Sequence, residues 1–88
     1  MVVMEAATLC RVCGWSLDEP GWVDGLPQYV ICDCCGAECG VDEHSAEAAR
    51  GYRAGWAARG YPWWDRGHQP VGWSFTEQQR ELIPAAYR

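Results

Sequence analysis

Two Cys-x-x-Cys-Gly knuckles, a capped amphipathic segment after them, and a length too short for a large core predict a small α+β domain of the zinc-ribbon class. In this reading, short antiparallel strands surround a four-cysteine metal site and two helices follow. The knuckles are Cys10-Arg11-Val12-Cys13-Gly14 and Cys32-Asp33-Cys34-Cys35-Gly36, with eighteen residues between Cys13 and Cys32. Cysteines three apart can turn both sulfurs onto one centre. The following glycine tolerates the positive φ that points backbone N–H groups toward those sulfurs. Four thiolates suit a closed tetrahedral zinc site, and the spacing of the pairs fits the zinc pattern. The predicted ligands are therefore Cys10, Cys13, Cys32 and Cys35.

Eighty-eight residues suffice for one domain, and a core this small commonly needs a staple. The expected division is a cysteine-bearing ribbon over 9–40 and a helical half with a tryptophan-rich loop over 41–88. The opening MVVMEAATLC lacks the basic and apolar regions of a secretory signal. No window approaches the ~18 apolar residues of a membrane span. These features predict a cytoplasmic chain, in which grouped cysteines hold metal more often than they form disulfides. Two further cysteines leave alternatives open. Cys34 breaks the pair spacing, and Cys39 precedes a glycine and could form an alternative knuckle with Cys34. Both also read as small buried hydrophobes or as a redox pair.

Residues 1–8 read as a mobile lead-in. Gln28 to Ile31 is a short β-type run entering the second knuckle. Leu9 and the stretch Trp15-Ser16-Leu17 are its expected partners, and the 20s form a loop with turn signals at Pro20-Gly21 and Asp24-Gly25. A helix is predicted over 45–59, with Ser45 as N-cap, Glu43 and Glu47 near the positive end of the dipole, and Gly60 as the terminating residue. Ala49, Tyr52 and Trp56 share one face, with Arg53 beside them. Gly51 and Gly55 cost that helix about 1 kcal/mol each relative to alanine, a cost that close backbone approach to the sheet would explain. Residues 60–75 read as an ordered loop. Thr76 and Gln79 form a capping-box pattern ahead of a short helix over 77–83.

Charge divides the chain. Residues 1–49 carry nine acids and one arginine, a net of −8, and residues 50–88 carry six arginines and three acids, a net of +3. An acidic metal-binding half argues against phosphate-backbone binding, which needs clustered basic residues. The basic, aromatic second half leaves a nucleic-acid-linked adaptor as the alternative. Six tryptophans exceed what so small a core needs. Trp15 and Trp56 suit the interior, whereas Trp22, Trp63, Trp64 and Trp73 lie in loops and are candidate interface anchors. With Asp18, Glu19, Asp42 and Glu43 they make up the predicted partner-binding set. His44 and His68 have no cysteine or histidine at ligand spacing and read as solvated. No nucleophile, phosphate-loop or metalloprotease motif occurs, so no catalytic role is expected.

The stretches CRVCGW and CDCCGAECG resemble a shortened rubredoxin, a resemblance that implies redox-active iron on the same thiolates as the alternative to zinc. The loop between the knuckles is shorter than in rubredoxins, and the helical second half is foreign to them. A wider resemblance links the chain to the bacterial cysteine-rich CPCC domain family. It rests on CRVCGW (10–15), ICDCCG (31–36), the acidic step GVDEHS (40–45) and GWAARGYPWW (55–64), and covers roughly residues 9–66. Asp33 stands where that family usually has proline, at a position that is no ligand. The resemblance implies a role in protein interaction, since some members are proposed immunity proteins of polymorphic toxin systems. A cognate toxin is then the implied partner, bound by occlusion, with the acidic lobe steering toward a basic surface.

Overall fold

The computed structural model describes residues 6–88. It contains two short strands, β1 (Trp22–Val23) and β2 (Leu26–Pro27), two helices, α1 (Ala46–Ala58) and α2 (Glu77–Glu81), and single 3₁₀ turns at Ala6–Thr8, Arg66–His68 and Ala85–Tyr87. Of the expected lead-in, residues 1–5 lie outside the described residues, and the remainder forms the first 3₁₀ turn.

The two knuckles fold alike, as their sequences require. Each is closed at its base by one antiparallel bridge, Leu9 with Ser16 and Ile31 with Glu38. In the first, Cys10 N–H donates to Trp15 O (2.9 Å) and Gly14 N–H to Cys10 O (2.8 Å). In the second, Cys32 N–H donates to Ala37 O and Gly36 N–H to Cys32 O, both at 2.9 Å. Gly14 and Gly36 adopt φ of +77° and +79°, the left-handed backbone that side chains resist. This geometry corrects the expected strand over 28–31, because Ile31 makes only its bridge and Tyr29 has φ +56°. The paired strands lie instead in the 20s, read from sequence as a loop. Trp22 faces Pro27 and Val23 faces Leu26 across a two-residue turn in which Asp24 (φ +50°) and Gly25 (φ +77°) are both left-handed. That is the backbone a tight hairpin favours.

α1 begins where Ser45 Oγ accepts from Ala48 N–H (3.0 Å), and it ends before Gly60, at φ +85°. It buries Ala49 and Trp56 of the predicted stripe and leaves Tyr52 half-buried, while Arg53 beside the stripe is buried as well. Trp56 is fully buried. It sits edge-on to Tyr61 and Phe75 and tilted against Trp73, and its indole N–H donates to Pro62 O (2.8 Å). The loop after α1 thus folds back over the helix. Thr76 caps α2 through Gln79 N–H (3.2 Å). The helix stops at Glu81, two residues before its expected end, and fully buried Ile83 follows it.

The core joins the cysteines to α1 and the aromatic loop. Cys10, Cys13, Cys32, Cys34, Cys35, Val12 and Ala37 cluster with Ala49, Trp56 and Trp63. The two helix glycines do not serve close approach. A Cβ on Gly51 would meet nothing within 4 Å, and one on Gly55 would touch only Arg59 Nη1 at 3.6 Å. Gly51→Ala is therefore expected to stabilise the protein by about 1 kcal/mol, read as a higher denaturation midpoint with an unchanged slope. A neutral or lower midpoint would mean that position 51 meets a constraint beyond helix propensity.

Candidate metal centre

The sulfurs of Cys10, Cys13, Cys32 and Cys35 all lie within 4.8 Å of one another. Cys10 Sγ is 3.6 Å from Cys35 Sγ, and Cys13 Sγ is 3.6 Å from Cys32 Sγ. A disulfide brings sulfurs to about 2.0 Å, and all six cysteines are free thiols. A tetrahedron with metal–sulfur bonds of about 2.3 Å has edges of about 3.8 Å, so this spacing is compatible with one metal ion. None of the four side chains is more than 3% exposed. Without a cation, burial pushes the Cys13 and Cys35 thiols up, while hydrogen bonds led by Cys10 and Cys13 pull Cys32 down. Four sulfurs buried this close together resist carrying charge on their own, and ligation of a cation by thiolates would offset that charge.

Cys34 and Cys39 lie outside the quartet, both buried. Cys34 belongs to the core cluster. Cys39 packs so tightly on Gly21 that a Cβ there would come within 2.5 Å of its Sγ. Burial, reinforced by Glu43, pushes the Cys39 thiol up to about 12. A buried thiol with a raised pKa is a poor nucleophile, which favours the small-hydrophobe reading.

The helical half hangs on the backbone carbonyls of the knuckles. Arg53, 7% exposed, donates from Nε to Val12 O (2.6 Å) and from Nη2 to Arg11 O (3.1 Å). Its neighbour Tyr52 donates its hydroxyl to Cys35 O (2.8 Å). Burial first, then Cys35, pushes that phenol up to about 12, so it stays a donor. Gln79 Nε2 reaches Cys13 O (2.8 Å). Trp64 and Asp65 donate their N–H groups to Cys34 O (2.9 Å) and Asp33 O (2.8 Å). Each knuckle glycine admits one of these elements. A Cβ on Gly14 would come within 2.9 Å of Ile83 N, and one on Gly36 within 2.7 Å of the Trp64 ring.

The predicted partner-binding residues are divided by the fold. Asp18 and Glu19 are exposed, and Trp64 is 65% exposed. Trp63 and Glu43 are buried, at 5% and 1%, which corrects their placement among surface anchors. Trp63 is wedged edge-on between Trp15 and Trp73. Glu43 accepts Trp22 Nε1 (3.0 and 3.2 Å) and Gly40 N–H (2.7 Å) and pairs with Arg11 Nε (3.5 Å). The Arg11 guanidinium lies over the Trp22 ring (3.9 Å) and the Tyr87 ring (4.3 Å). Trp22 is thereby committed to internal partners. Trp73 is half-buried against the core, and Asp42 caps the Glu38 N–H (2.9 Å). Acids ahead of a helix gave no sequence signal for such a buried hub, since the same pattern serves the helix dipole.

Of the two histidines, His44 is exposed and its Nδ1 lies 3.4 Å from Val41 O. His68 Nδ1 is 2.8 Å from Asp33 Oδ2 and 3.3 Å from Asp65 Oδ2. The Asp33 hydrogen bond, then the Asp65 charge, raise its pKa from 6.5. His68 is solvent-exposed, as read, and from there links the 60s loop to Asp33 of the second knuckle. No family model, curated protein or solved structure matches the chain.

The four ligand positions should respond unlike the two spare cysteines. Cys13→Ser is expected to abolish the cooperative thermal transition, because metal ligation and folding are coupled. Cys34→Ala should cost only about 1–2 kcal/mol, the loss of one small buried group. Circular dichroism melting separates the two, and equal loss in both variants would reassign the ligands.

Proposed function

We propose that this chain is a small zinc-binding protein-interaction module of the zinc-ribbon type, in which the metal is structural and binding is the activity. The observation that carries the reading is the burial of all four sulfurs at 0–3% exposure. A catalytic zinc keeps one coordination position open to substrate, and a quartet enclosed on every side offers none. Four thiolates suit zinc as a closed structural ion.

The hairpin supports the interaction role. Val23 and Leu26 are paired neighbours, 45% and 65% exposed, and Tyr29 after them is 59% exposed. Asp18, Glu19 and Asp24 are exposed close by in sequence. Apolar contacts rimmed by charge are the anatomy of a binding surface. The negative sign of this half, −8 over residues 1–49, favours a basic partner approached by electrostatic steering. Occlusion of a toxin by an immunity protein is the specific form of this role that the CPCC resemblance implies.

The reading is tested with the protein as bait in extract of its native host, beside a variant carrying Asp18→Asn, Glu19→Gln and Leu26→Ser. Asparagine tolerates the left-handed backbone at position 18. The wild type should retain a basic protein whose recovery falls as salt rises, and the variant should lose it. Equal recovery of the same proteins by both baits would contradict the proposal.

A further inference from the structure

The second half of the chain carries a cleft of about 300 Å³ that serves neither the metal centre nor the hairpin. One wall is a single stripe of α1, Arg50, Arg53, Ala54 and Ala57, spaced as neighbours on one helix face. The opposite side brings Arg80 from α2 and Arg88, with the rings of Tyr61 and Phe75 beside them. Those rings stack with centroids 5.2 Å apart and planes 24° apart. Four guanidiniums therefore line one cleft, and no carboxylate side chain does. Among the described residues, none of the four pairs with an acidic side chain.

We infer that this cleft binds a small molecule carrying a phosphate monoester beside a flat ring, of about mononucleotide size.

Three of the four arginines are held in place. Arg50 Nε donates to Arg88 O (2.8 Å), Arg53 Nε to Val12 O (2.6 Å) and Arg88 Nε to Ile83 O (2.9 Å). Arg53 Nη2 is taken by Arg11 O and Tyr87 O, and Arg88 Nη2 by Glu81 O. Solvated arginines normally keep their rotamer freedom, whereas these three spend Nε on carbonyls. Among the described residues, both Nη of Arg50, Nη1 of Arg53 and of Arg88, and all of Arg80 are left without a partner. Arg53 is only 7% exposed, so its free Nη1 belongs to a side chain fixed inside the fold. Burial first, then the charges of Arg80 and Arg50, push the Arg53 pKa down. Should Arg88 end the chain, its α-carboxylate offsets one of the four charges and leaves three.

Guanidinium forks match phosphate oxygens in pairs, and several converging on one anion favour a dianionic monoester over a single carboxylate. The Tyr61–Phe75 stack supplies the second half of the chemistry, since a third flat ring extends it. Small apolar Ala54 and Ala57 leave room for that ring. The volume is at the lower end for small-molecule sites, which fits a mononucleotide. A free nucleotide and the 5′-phosphorylated end of a strand present the same chemistry.

Calorimetric titration of the full, metal-loaded chain tests this with AMP, adenosine and inorganic phosphate, and with a short oligonucleotide carrying or lacking a 5′-phosphate. AMP should bind, with adenosine and phosphate each about tenfold weaker or worse. Arg80→Ala should weaken AMP about tenfold with an unchanged melting curve, because the Arg80 side chain makes no internal hydrogen bond. Arg50→Ala should weaken AMP to a similar degree, with a lower melting midpoint from the lost bond to Arg88 O. Binding of the 5′-phosphorylated strand alone among oligonucleotides would place the ligand at a strand end, and failure of both strands would make it the free nucleotide. Absence of AMP binding at millimolar concentration, AMP binding untouched by both substitutions, or strand binding indifferent to the 5′-phosphate would overturn the inference.

Discussion

Four thiols packed out of water within 4.8 Å of each other cannot all ionise unless a cation sits among them, and the rest of the fold is arranged around that fact. Two regular strands of two residues each provide little of the ladder that normally fixes a β half. Position comes instead from the knuckles, whose tight turns present a shell of backbone carbonyls. Val12, Cys13, Asp33, Cys34 and Cys35 each give a carbonyl to a donor from the second half. Loss of the proposed zinc would release the acceptors that α1, α2 and the tryptophan loop use, so on this proposal one ion would hold both halves. Such coupling would let a chain of 88 residues offset its small hydrophobic core.

The second organising feature is charge placed inside. Arg53 and Glu43 are the two buried charged residues among those described, and each is bonded on several sides. Buried charges seldom stabilise a fold relative to apolar substitutes, but removing one partner leaves the other uncompensated. Arg53 ties α1 to the first knuckle and to Tyr87. Glu43 collects Trp22, Gly40 and Arg11. Together they fix the register between elements that share no sheet, and they leave the acids of the 18–24 region free on the surface.

Local signals were legible where the chemistry is local. The clustering of Cys10, Cys13, Cys32 and Cys35, the Ser45 and Thr76 caps, the Gly60 stop and the burial of Ala49 and Trp56 on α1 follow from spacing and residue type, and the structure places them as read. The hairpin was misread because its strands are two residues long and carry a proline, too little for a period-two pattern. Asp24-Gly25 was the one signal for it. Trp63 and Glu43 were misplaced for a different reason. A tryptophan in a Gly- and Pro-rich loop looks exposed until the loop folds back on the helix, and an acid before a helix looks like a dipole partner until an arginine 32 positions earlier is seen beside it. Such contacts depend on tertiary geometry that no short window contains. The arginine cleft is of the same kind, since its four basic residues lie on α1, α2 and the final turn.

The central claim is that a single ion at Cys10, Cys13, Cys32 and Cys35 holds the two halves together. Native mass spectrometry on protein prepared without added metal, before and after a chelator, tests it most directly. One zinc per chain is expected, with the narrow charge-state distribution of a folded protein broadening to that of an unfolded chain when the ion is removed. One iron in its place would keep the scaffold and shift the function toward electron transfer. A metal-free chain that keeps its compact distribution, or one whose mass is lowered by disulfide formation, would contradict the account.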